Sequence, residues 1–361
     1  MSSLKREVGL VGAVGIGLGS ILGTGVFVAL AIAAGEAGPW LPLAVLLGGV
    51  VATLNGLSSA QLAAVHPVAG GTYAYGRRFL HPYAGFLAGV TFLAAKSASA
   101  ATAALGVAGY LTLALDLPGY LRVTIAAFAV LALAWLVNRG ARRTSAWNLL
   151  LVGVTLAGLG IFVVTGLLAA AEAAGWTLAT SSAEGATASG PTLRSFAYAT
   201  ALAFVAYTGY GRVATLGEEV RDPARTIPQA IPRALGAVLA LYAIVAVVVL
   251  TTVPGALLGD DATPLRSVVE AGPLAALGPL VPIGAAIACG GVLLNLIPGV
   301  SRTVLAMSRR RELPKFLSVV NARRATPLRA ETTVVIAVLV LVNTLDLGSS
   351  IAVSGVAVLT Y

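Results

Sequence analysis

The fold is decided by a stretch that reads Gly15-Ile16-Gly17-Leu18-Gly19-Ser20-Ile21-Leu22-Gly23-Thr24-Gly25-Val26-Phe27. It lies inside a long apolar segment and holds five glycines in the eleven positions 15–25. Each glycine in a helix interior costs roughly 1 kcal/mol relative to alanine. A second apolar segment has closely spaced glycines at its middle, in Phe204-Val205-Ala206-Tyr207-Thr208-Gly209-Tyr210-Gly211-Arg212. We therefore expect both helices to be interrupted.

The composition around these stretches is that of an integral membrane protein. Of the 361 residues, 58% are hydrophobic and 10% are charged, whereas a soluble domain carries roughly 25% charged residues. The net charge of +9 is spread between apolar stretches, so we expect the lipid bilayer and no nucleic acid as a partner. Cys289 is the only cysteine, and His66 and His81 share one loop region. We predict no intrachain disulfide, no metal site and no cofactor.

About ten apolar segments are long enough to cross a bilayer, which takes about 20 helical residues. The chain is predicted to end inside the tenth, which begins near Ser350, and residues 1–361 are predicted to form one all-α transmembrane domain. We expect a flexible outer loop at 172–192 and a short surface helix within 309–330. The first nine segments lie near 8–34, 40–65, 83–115, 119–138, 146–170, 195–217, 233–254, 273–308 and 331–346.

The basic residues between these segments predict the orientation in the membrane. With a cytoplasmic N-terminus, inner segments hold 18 lysines and arginines, among them Arg77, Arg142 and Arg310, and outer segments hold 3. Cytoplasmic loops carry such an excess. We therefore predict a multi-pass protein of the cell membrane with its N-terminus in the cytoplasm. The three outer arginines are Arg122, Arg194 and Arg266.

The two glycine-rich stretches occupy matching places if the chain divides into halves at about 8–170 and 195–361. Interrupted segments at corresponding positions are a sequence sign of a transporter binding site. Unwinding a helix in the bilayer frees N–H and C=O groups that lipid cannot satisfy. The N–H end of a half-helix suits a carboxylate and the carbonyl end suits an ammonium group, so a zwitterion suits both. The alternative is that these glycines only allow close helix packing.

Several motifs together resemble those of the amino acid–polyamine–organocation transporters. The resemblance spans most of the chain and implies the five-plus-five inverted-repeat, LeuT-like fold, with the substrate between the first and sixth helices. The motifs are Gly19-Ser20-Ile21-Leu22-Gly23-Thr24-Gly25-Val26-Phe27, Asn55-Gly56-Leu57-Ser58, Gly70-Gly71-Thr72-Tyr73, Phe204 to Gly209, Gly217-Glu218-Glu219-Val220-Arg221-Asp222-Pro223, Thr226-Ile227-Pro228, Ser301-Arg302, Leu305-Ala306-Met307-Ser308-Arg309, Leu313-Pro314-Lys315-Phe316 and Thr326-Pro327.

The resemblance also implies a set of substrate-binding residues. The substrate carboxylate is expected at the amides around Gly23, Thr24 and Gly25, with a further contact from the Thr24 hydroxyl. Tyr207 or Phe204 is a candidate gate, although an aromatic residue in a membrane helix more often only packs. The substrate amino group is expected at the carbonyls of Ile21, Phe204, Val205, Ala206 and Tyr207.

Two charges lie deep inside predicted spans, and an ionisable residue at such depth is a functional hypothesis by default. They are Lys96 and Arg212, and each is a candidate for coupling, with snorkelling or a buried structural pair as the alternative. Glu218, Glu219 and Arg302 are instead expected at cytoplasmic helix ends, where they anchor and pair.

The sequence departs from the family pattern in ways that bear on coupling. The fifth-helix lysine of many relatives is absent near Val154-Thr155, and positions 289–299 hold no serine or threonine to bind sodium. Lys96 can supply the positive charge from the third span, since a buried lysine can gain and lose a proton near neutral pH. A face of small residues is expected to pack on the first helix and bring Lys96 to its freed carbonyls. The face comprises Ala95, Ser99, Thr102, Gly106 and Gly109.

These features favour a secondary active transporter of neutral amino acids or related small zwitterions, independent of sodium and either proton-coupled or an exchanger. A sodium-coupled symporter, or an exchanger of cationic amino acids or polyamines with the same fold, is the alternative. A membrane enzyme would need an acid–base pair or metal cluster inside the spans, and neither is evident, so we predict no enzyme activity. A channel would favour rings of repeated motifs, and the sequence lacks the phosphate-binding loop of an ATP-driven pump.

Overall fold

A computed structural model describes residues 6–172, 192–252, 264–270, 272–321 and 326–361. The predicted outer loop at 172–192 falls almost wholly outside the described residues, as do Asp260 and Asp261. Part of the predicted connector at 309–330 is described, and its short helix is a single 3₁₀ turn at Lys315–Ser318.

The described residues form α-helices that are joined by short 3₁₀ and π-helical turns. Long helices follow from the apolar composition, because in lipid every backbone group must be satisfied within the segment. The helices are α1 (Leu10–Ile21), α2 (Leu30–Ala37), α3 (Leu41–Val65), α4 (Thr72–Tyr75), α5 (Pro82–Ala114), α6 (Arg122–Val137), α7 (Ala141–Glu172), α8 (Leu193–Tyr207), α9 (Gly211–Ala214), α10 (Pro223–Thr252), α11 (Pro264–Glu270), α12 (Leu280–Arg309), α13 (Leu328–Thr344) and α14 (Leu347–Val358).

Among the described residues, six helical stretches are long and apolar enough to cross a membrane, which confirms the predicted all-helical membrane class. One of them, Leu10–Val65, has 56 residues, more than twice the roughly 20 that one crossing needs. The count of ten spans stays a prediction. The other five stretches are Pro82–Ala114, Gly119–Val137, Thr144–Ala171, Pro223–Thr252 and Leu280–Arg309.

The eighth predicted span starts later than the sequence pattern indicated. Its helix begins at Leu280, whereas the apolar run begins near residue 273. A 3₁₀ turn at Ala275–Leu277 precedes the helix, and Gly278 and Pro279 separate the two. Glycine and proline are poor helix formers, so the apolar run cannot continue as one helix.

Helix α12 lies at the centre of the molecule, and α5 packs along it more extensively than any other pair of described helices pack together. The contact depends on small residues: a Cβ added at Gly106 would stand 3.0 Å from the Cys289 sulfur. Small residues let helix backbones approach closely in lipid. The expectation that the small-residue face of α5 packs on the first helix is therefore wrong, because Gly106 of that face lies against α12 and Ser99 lies against Ser354 of α14.

In the first predicted span, residues 22–24 separate two helical segments, and we call this place the first interruption. Helix α1 ends at Ile21, Leu22 is extended with ψ of 103°, and a π-helical turn at Gly25–Ala29 leads into α2. The sixth span changes from α-helix to a 3₁₀ turn at Thr208–Tyr210, the second interruption, before α9 continues it.

The two interruptions touch each other through glycines. A Cβ at Gly209 would collide with the carbonyl of Ser20, and a Cβ at Gly25 would stand 3.1 Å from the carbonyl oxygen of Ala206. A side chain at either glycine would therefore strike the backbone of the other span. These two glycines serve the close approach of two backbones, which only a residue without a Cβ allows.

Candidate functional site

A cavity lies where the two interruptions meet, with about 520 Å³ of space between atoms, part of it open to the surroundings. Its apolar lining is Ala29, Val205, Ala206, Val292, Leu296 and Ile351, with Gly25 and Gly209. Its polar lining is Ser20, Thr24, Lys96, Ser99, Thr102, Thr208 and Ser354. A mostly apolar pocket with a few convergent polar groups is the usual form of a small-molecule site.

Lys96 projects from α5 into this cavity, and only 4% of its surface is exposed. Its Nζ donates to the carbonyl oxygen of Thr208 at 3.3 Å and to the Thr208 hydroxyl at 3.0 Å. That hydroxyl donates in turn to the Val205 carbonyl at 2.7 Å. Lys96 thus donates to a carbonyl of the second interruption. From the sequence, we had expected Lys96 to lie beside the carbonyls of the first interruption.

The cavity hydroxyls mostly donate to carbonyls of their own helices. Ser20 donates to the Ile16 carbonyl at 2.6 Å, and Thr102 donates to the Ala98 carbonyl at 3.0 Å. Ser99 donates to the Ala95 carbonyl at 3.0 Å and lies 2.6 Å from the Ser354 hydroxyl. A hydroxyl has one proton and two lone pairs. These groups therefore present mainly acceptor oxygens, which suit a ligand N–H.

Two tyrosines satisfy carbonyls beside the first interruption. Tyr242 of α10 donates to the Ile21 carbonyl at 2.8 Å, and Tyr110 of α5 donates to the Phe27 carbonyl at 2.7 Å. The Tyr242 hydroxyl also fills the space where a Gly25 side chain would stand. Because an unpaired carbonyl in lipid is costly, these tyrosines stabilise the interrupted helix. Sequence reasoning missed both.

Five of the ten predicted site residues line the cavity together: Thr24, Gly25, Lys96, Val205 and Ala206. The other five do not. Gly23 backs onto α12, where a Cβ would stand 2.5 Å from the Ala288 carbonyl oxygen. Phe204 lines a neighbouring cavity beside Tyr210. The Ile21 carbonyl accepts from Tyr242. The Tyr207 ring packs at a tilt against the Tyr242 ring, with centroids 5.0 Å apart, and Arg212 lies outside the cavity lining.

Five polar lining residues were missed as site residues. Thr208 lies within the second interruption itself, so its position was a usable signal. Ser99 and Thr102 were assigned to helix packing, because serine and threonine are common at helix contacts in membranes. Ser20 lies in the first glycine-rich stretch, so its position was a usable signal too, whereas Ser354 carried none.

Arg212 belongs to a buried ion cluster. Arg302 of α12 contacts Glu219 at 2.5 Å and Glu331 of α13 at 2.6 Å, and Arg212 lies 3.8 Å from Glu219. Arg212 also donates to the Thr215 hydroxyl at 2.9 Å. Glu219 and Arg302, which were expected to anchor and pair at cytoplasmic helix ends, therefore pair with each other, and both side chains are buried within the protein. The chain reverses after α9 and carries Glu219 inward against α12.

The segment before α1 is hydrogen-bonded to the backbone around Glu219. The amides of Glu7 and Val8 both donate to the Glu219 carbonyl, at 2.9 and 3.1 Å, and the Arg221 amide donates to the Val8 carbonyl at 2.8 Å. Glu218 faces outward and pairs with Arg309 at 2.8 Å. The pairing at a helix end that was expected for Glu218 is thus present in the structure.

A buried amide pair joins three other helices. Asn295 of α12 donates to the Asn148 side-chain oxygen of α7 at 2.5 Å and to the Gly291 carbonyl at 2.8 Å. Gly19 of α1 lies against both amides. Sequence reasoning missed this pair, although two amides inside predicted spans were a visible signal. Within the described part of the chain, no group of three or more His, Cys, Asp or Glu side chains comes together in a way that would hold a metal ion.

Comparisons with known proteins agree with this architecture. The family model described as amino acid permease matches residues 12–360. An uncharacterized transporter of Mycobacterium tuberculosis (strain ATCC 25618 / H37Rv) is 43% identical over 358 residues, covering 99% of this chain and 78% of that protein. The branched-chain amino acid permease of Bacillus subtilis (strain 168) is 26% identical over 343 residues, covering 90% and 72%.

Two further similarities concern substrate charge and fold. The chloroplastic cationic amino acid transporter 9 of Arabidopsis thaliana is 28% identical over 343 residues, covering 88% of this chain and 58% of that protein. The crystal structure of MhsT in complex with L-phenylalanine superposes with a TM-score of 0.60 at 15% identity, covering 98% of this chain and 81% of that one. This similarity shows the LeuT-like fold.

Proposed function

The chain belongs to the amino acid permease family, and from this premise we propose that it is a secondary active transporter of neutral amino acids or related small zwitterions. Its family and relatives are transporters and not enzymes, and it is a multi-pass membrane protein. We further propose one transporter domain over residues 1–361, with ten spans in two inverted halves.

One observation carries the proposal: a single cavity holds both interruptions and the buried Lys96. The substrate carboxylate is assigned to the backbone around Thr24 and Gly25, where a π-helical turn begins. Amides at the start of a helix favour an anion. The substrate ammonium is assigned to acceptor oxygens on the opposite side, from Ser20 and the backbone near Ala206, away from the Thr208 oxygens that accept from Lys96. Four predicted site residues lie next to the cavity without lining it, and their proposed part is to support its wall. They are Gly23, Ile21, Phe204 and Tyr207.

The charge of the cavity argues against cationic substrates. Among the described lining residues, Lys96 is charged and none has a carboxylate. A cationic side chain would meet a like charge at low effective dielectric, a repulsion of several kcal/mol at contact distance. The name of the Arabidopsis relative supports the alternative of a cationic amino acid exchanger, but the described cavity offers no counter-charge for such a ligand.

Coupling is assigned to Lys96, which bonds the second interruption through Thr208. An ammonium in that position provides the positive charge that a bound cation would provide. We propose sodium-independent transport, coupled to protons or run as exchange. Arg212, the other predicted charge switch, is held by Glu219 and Thr215, so its proposed part is structural. A sodium-coupled symporter remains the alternative.

We predict saturable uptake of neutral amino acids into proteoliposomes, unchanged when choline replaces sodium and stimulated by external acid. Lys96→Met should abolish uptake or its pH dependence, because the variant has no proton to exchange, while the melting temperature stays near wild type. Lys315→Met, which removes an exposed lysine, is the matched control. A requirement for sodium, or an unchanged pH profile in Lys96→Met, would contradict the proposed coupling.

We also propose that the protein lies in the cell membrane with the loop at Arg310 cytoplasmic and the end of α2 external. In a Cys289→Ala background, a cysteine at exposed Glu36 should react with an impermeant thiol reagent from outside intact cells. A cysteine at Arg310 should react only after the membrane is opened. Labelling in the reverse pattern would refute the orientation that the charge distribution predicts.

A further inference from the structure

The cavity carries an unbalanced charge. Its titratable lining side chain is Lys96, and the other polar lining side chains among the described residues are hydroxyls. None of the ion pairs formed by the described residues includes Lys96. A neutral zwitterion has no net charge, so it leaves an ammonium at this position uncompensated. A buried charge without a partner is costly.

The hydrogen bonds of Lys96 fit both of its protonation states. Among the described residues, Thr208 accepts two hydrogen bonds from Nζ, one at its carbonyl and one at its hydroxyl. A neutral amine has two N–H groups and satisfies both acceptors, whereas an ammonium has three. The third N–H is then available to a ligand in the cavity. The occupant of the cavity can therefore decide which form is favoured.

We propose that acidic amino acids are a second substrate class, and that each is carried with one proton bound to Lys96. The side-chain carboxylate pairs with the Lys96 ammonium, while the α-carboxylate and α-amino group take the positions assigned to a neutral amino acid. This inference rests on the proposed transport function and adds to it a charge class of substrate. No bond to the substrate is made or broken; the proton taken up on one side is released from Nζ on the other.

The surroundings of Lys96 suit a carboxylate. The Ser99 and Ser354 hydroxyls lie 2.6 Å apart and line the same cavity as Lys96. Ser99 donates to the Ala95 carbonyl, and the Ser354 proton can rotate to donate to a ligand. A carboxylate beside a protonated lysine adds no net charge to the cavity, so the pair is formed at lower cost than either ion alone. The same arrangement disfavours a cationic substrate, in agreement with the proposed function.

Other ionisable groups on the elements that pack against Lys96 are outside the cavity lining. From the sixth span, Arg212 is in the ion cluster and Tyr210 donates to Asn55 at 2.8 Å. From α12 and α13, Arg302 and Glu331 pair with each other. The remaining groups are Tyr83 and Tyr110 of α5 itself, Tyr73 and Tyr75 of α4, Arg77 and Arg78 of the turn before α5, Tyr120 of the turn before α6, Arg122 of α6, Arg194, Tyr198 and Tyr207 of α8, Cys289 and Arg309 of α12, Arg329 of α13, and Tyr361 beyond α14.

Isothermal titration of the purified protein with glutamate and with serine tests this inference. Glutamate should bind more tightly as the pH falls, because proton binding and ligand binding are linked. The binding enthalpy, measured in buffers of different ionisation enthalpy, should show that the protein takes up about one proton for each glutamate bound. The protein should take up fewer protons when serine binds than when glutamate binds. In Lys96→Met the ratio of glutamate to serine affinity should fall on the order of 100-fold, since removal of one partner exposes the other charge. Lys315→Met should leave the ratio unchanged.

The outcomes separate this inference from the proposed function. Serine binding without glutamate binding overturns the second substrate class and leaves the neutral transporter standing. Glutamate binding without proton uptake in the wild-type protein also overturns it, whether or not the Lys96 variant folds. If neither ligand binds, and no other neutral amino acid does, the proposed function itself fails.

Discussion

Replacing Glu219 with alanine is expected to lower the free energy of unfolding by roughly 3–5 kcal/mol, because it leaves a buried charge without its partner. Glu219 contacts Arg302 at 2.5 Å and lies 3.8 Å from Arg212. All three side chains are buried. Without Glu219, the cluster of two arginines and two glutamates would keep two positive charges against the single carboxylate of Glu331. Thermal unfolding in detergent measures the effect.

Glu218→Ala is the matched control for Glu219→Ala. Glu218 is the neighbouring residue and pairs with Arg309 at 2.8 Å, but both side chains are partly exposed. Such pairs contribute about 0–1 kcal/mol, so the control should melt close to wild type. Equal destabilisation by the two substitutions would show that burial of the ion cluster does not decide its contribution.

Much of the fold could be predicted from the sequence, because lipid imposes a simple rule on it. Apolar segments of sufficient length must become helices, and the helices found near 83–115 and 119–138 agree closely with their predicted bounds. In the structure, α1 ends at Ile21 within the glycine-rich stretch at 15–25, and a 3₁₀ turn at Thr208–Tyr210 lies within the stretch at 204–212. The start of α12 was misplaced because glycine and proline interrupt an otherwise apolar run.

The partners of the deep charges could not be predicted. A helix turns by about 100° for each residue, so a boundary error of one or two residues points a side chain at a different neighbour. Lys96 donates a hydrogen bond to Thr208, which is 112 positions away in the sequence, and Tyr242 donates one to Ile21, which is 221 positions away. Such pairs depend on how the helices are arranged around one another. Arg212 lies close in sequence to the second interruption, yet its side chain meets Glu219.

The missed hydroxyls have a different cause. Serine and threonine in membrane helices commonly bond to their own backbone, as Ser20 and Thr102 do here. Their presence in a span therefore says little about a ligand. Only the shared cavity, which gathers residues from five predicted spans, distinguishes these hydroxyls from others that face neighbouring helices.

Gly25→Val is expected to weaken binding of neutral amino acids by at least about 100-fold, or about 2.8 kcal/mol, because the added side chain must displace the backbone to which the substrate carboxylate is assigned. Gly25 lines the cavity, and any side chain there would strike the Tyr242 hydroxyl and approach the Ala206 carbonyl. Valine would separate the two interruptions and displace the bond from Tyr242 to the Ile21 carbonyl. Gly109→Val is the matched control, because a Cβ at Gly109 meets no atom within 4 Å.

Thr24→Val provides a milder substitution at the same place, should Gly25→Val fold poorly. It keeps the side-chain shape and removes the hydroxyl, so binding should weaken about tenfold, as expected for one lost hydrogen bond. The most direct measurement is the dissociation constant of a neutral amino acid for the wild type, Gly25→Val, Thr24→Val and Gly109→Val. The cavity is the substrate site if affinity falls in the first two variants and stays at the wild-type value in Gly109→Val. Wild-type affinity in both Gly25→Val and Thr24→Val would contradict that assignment.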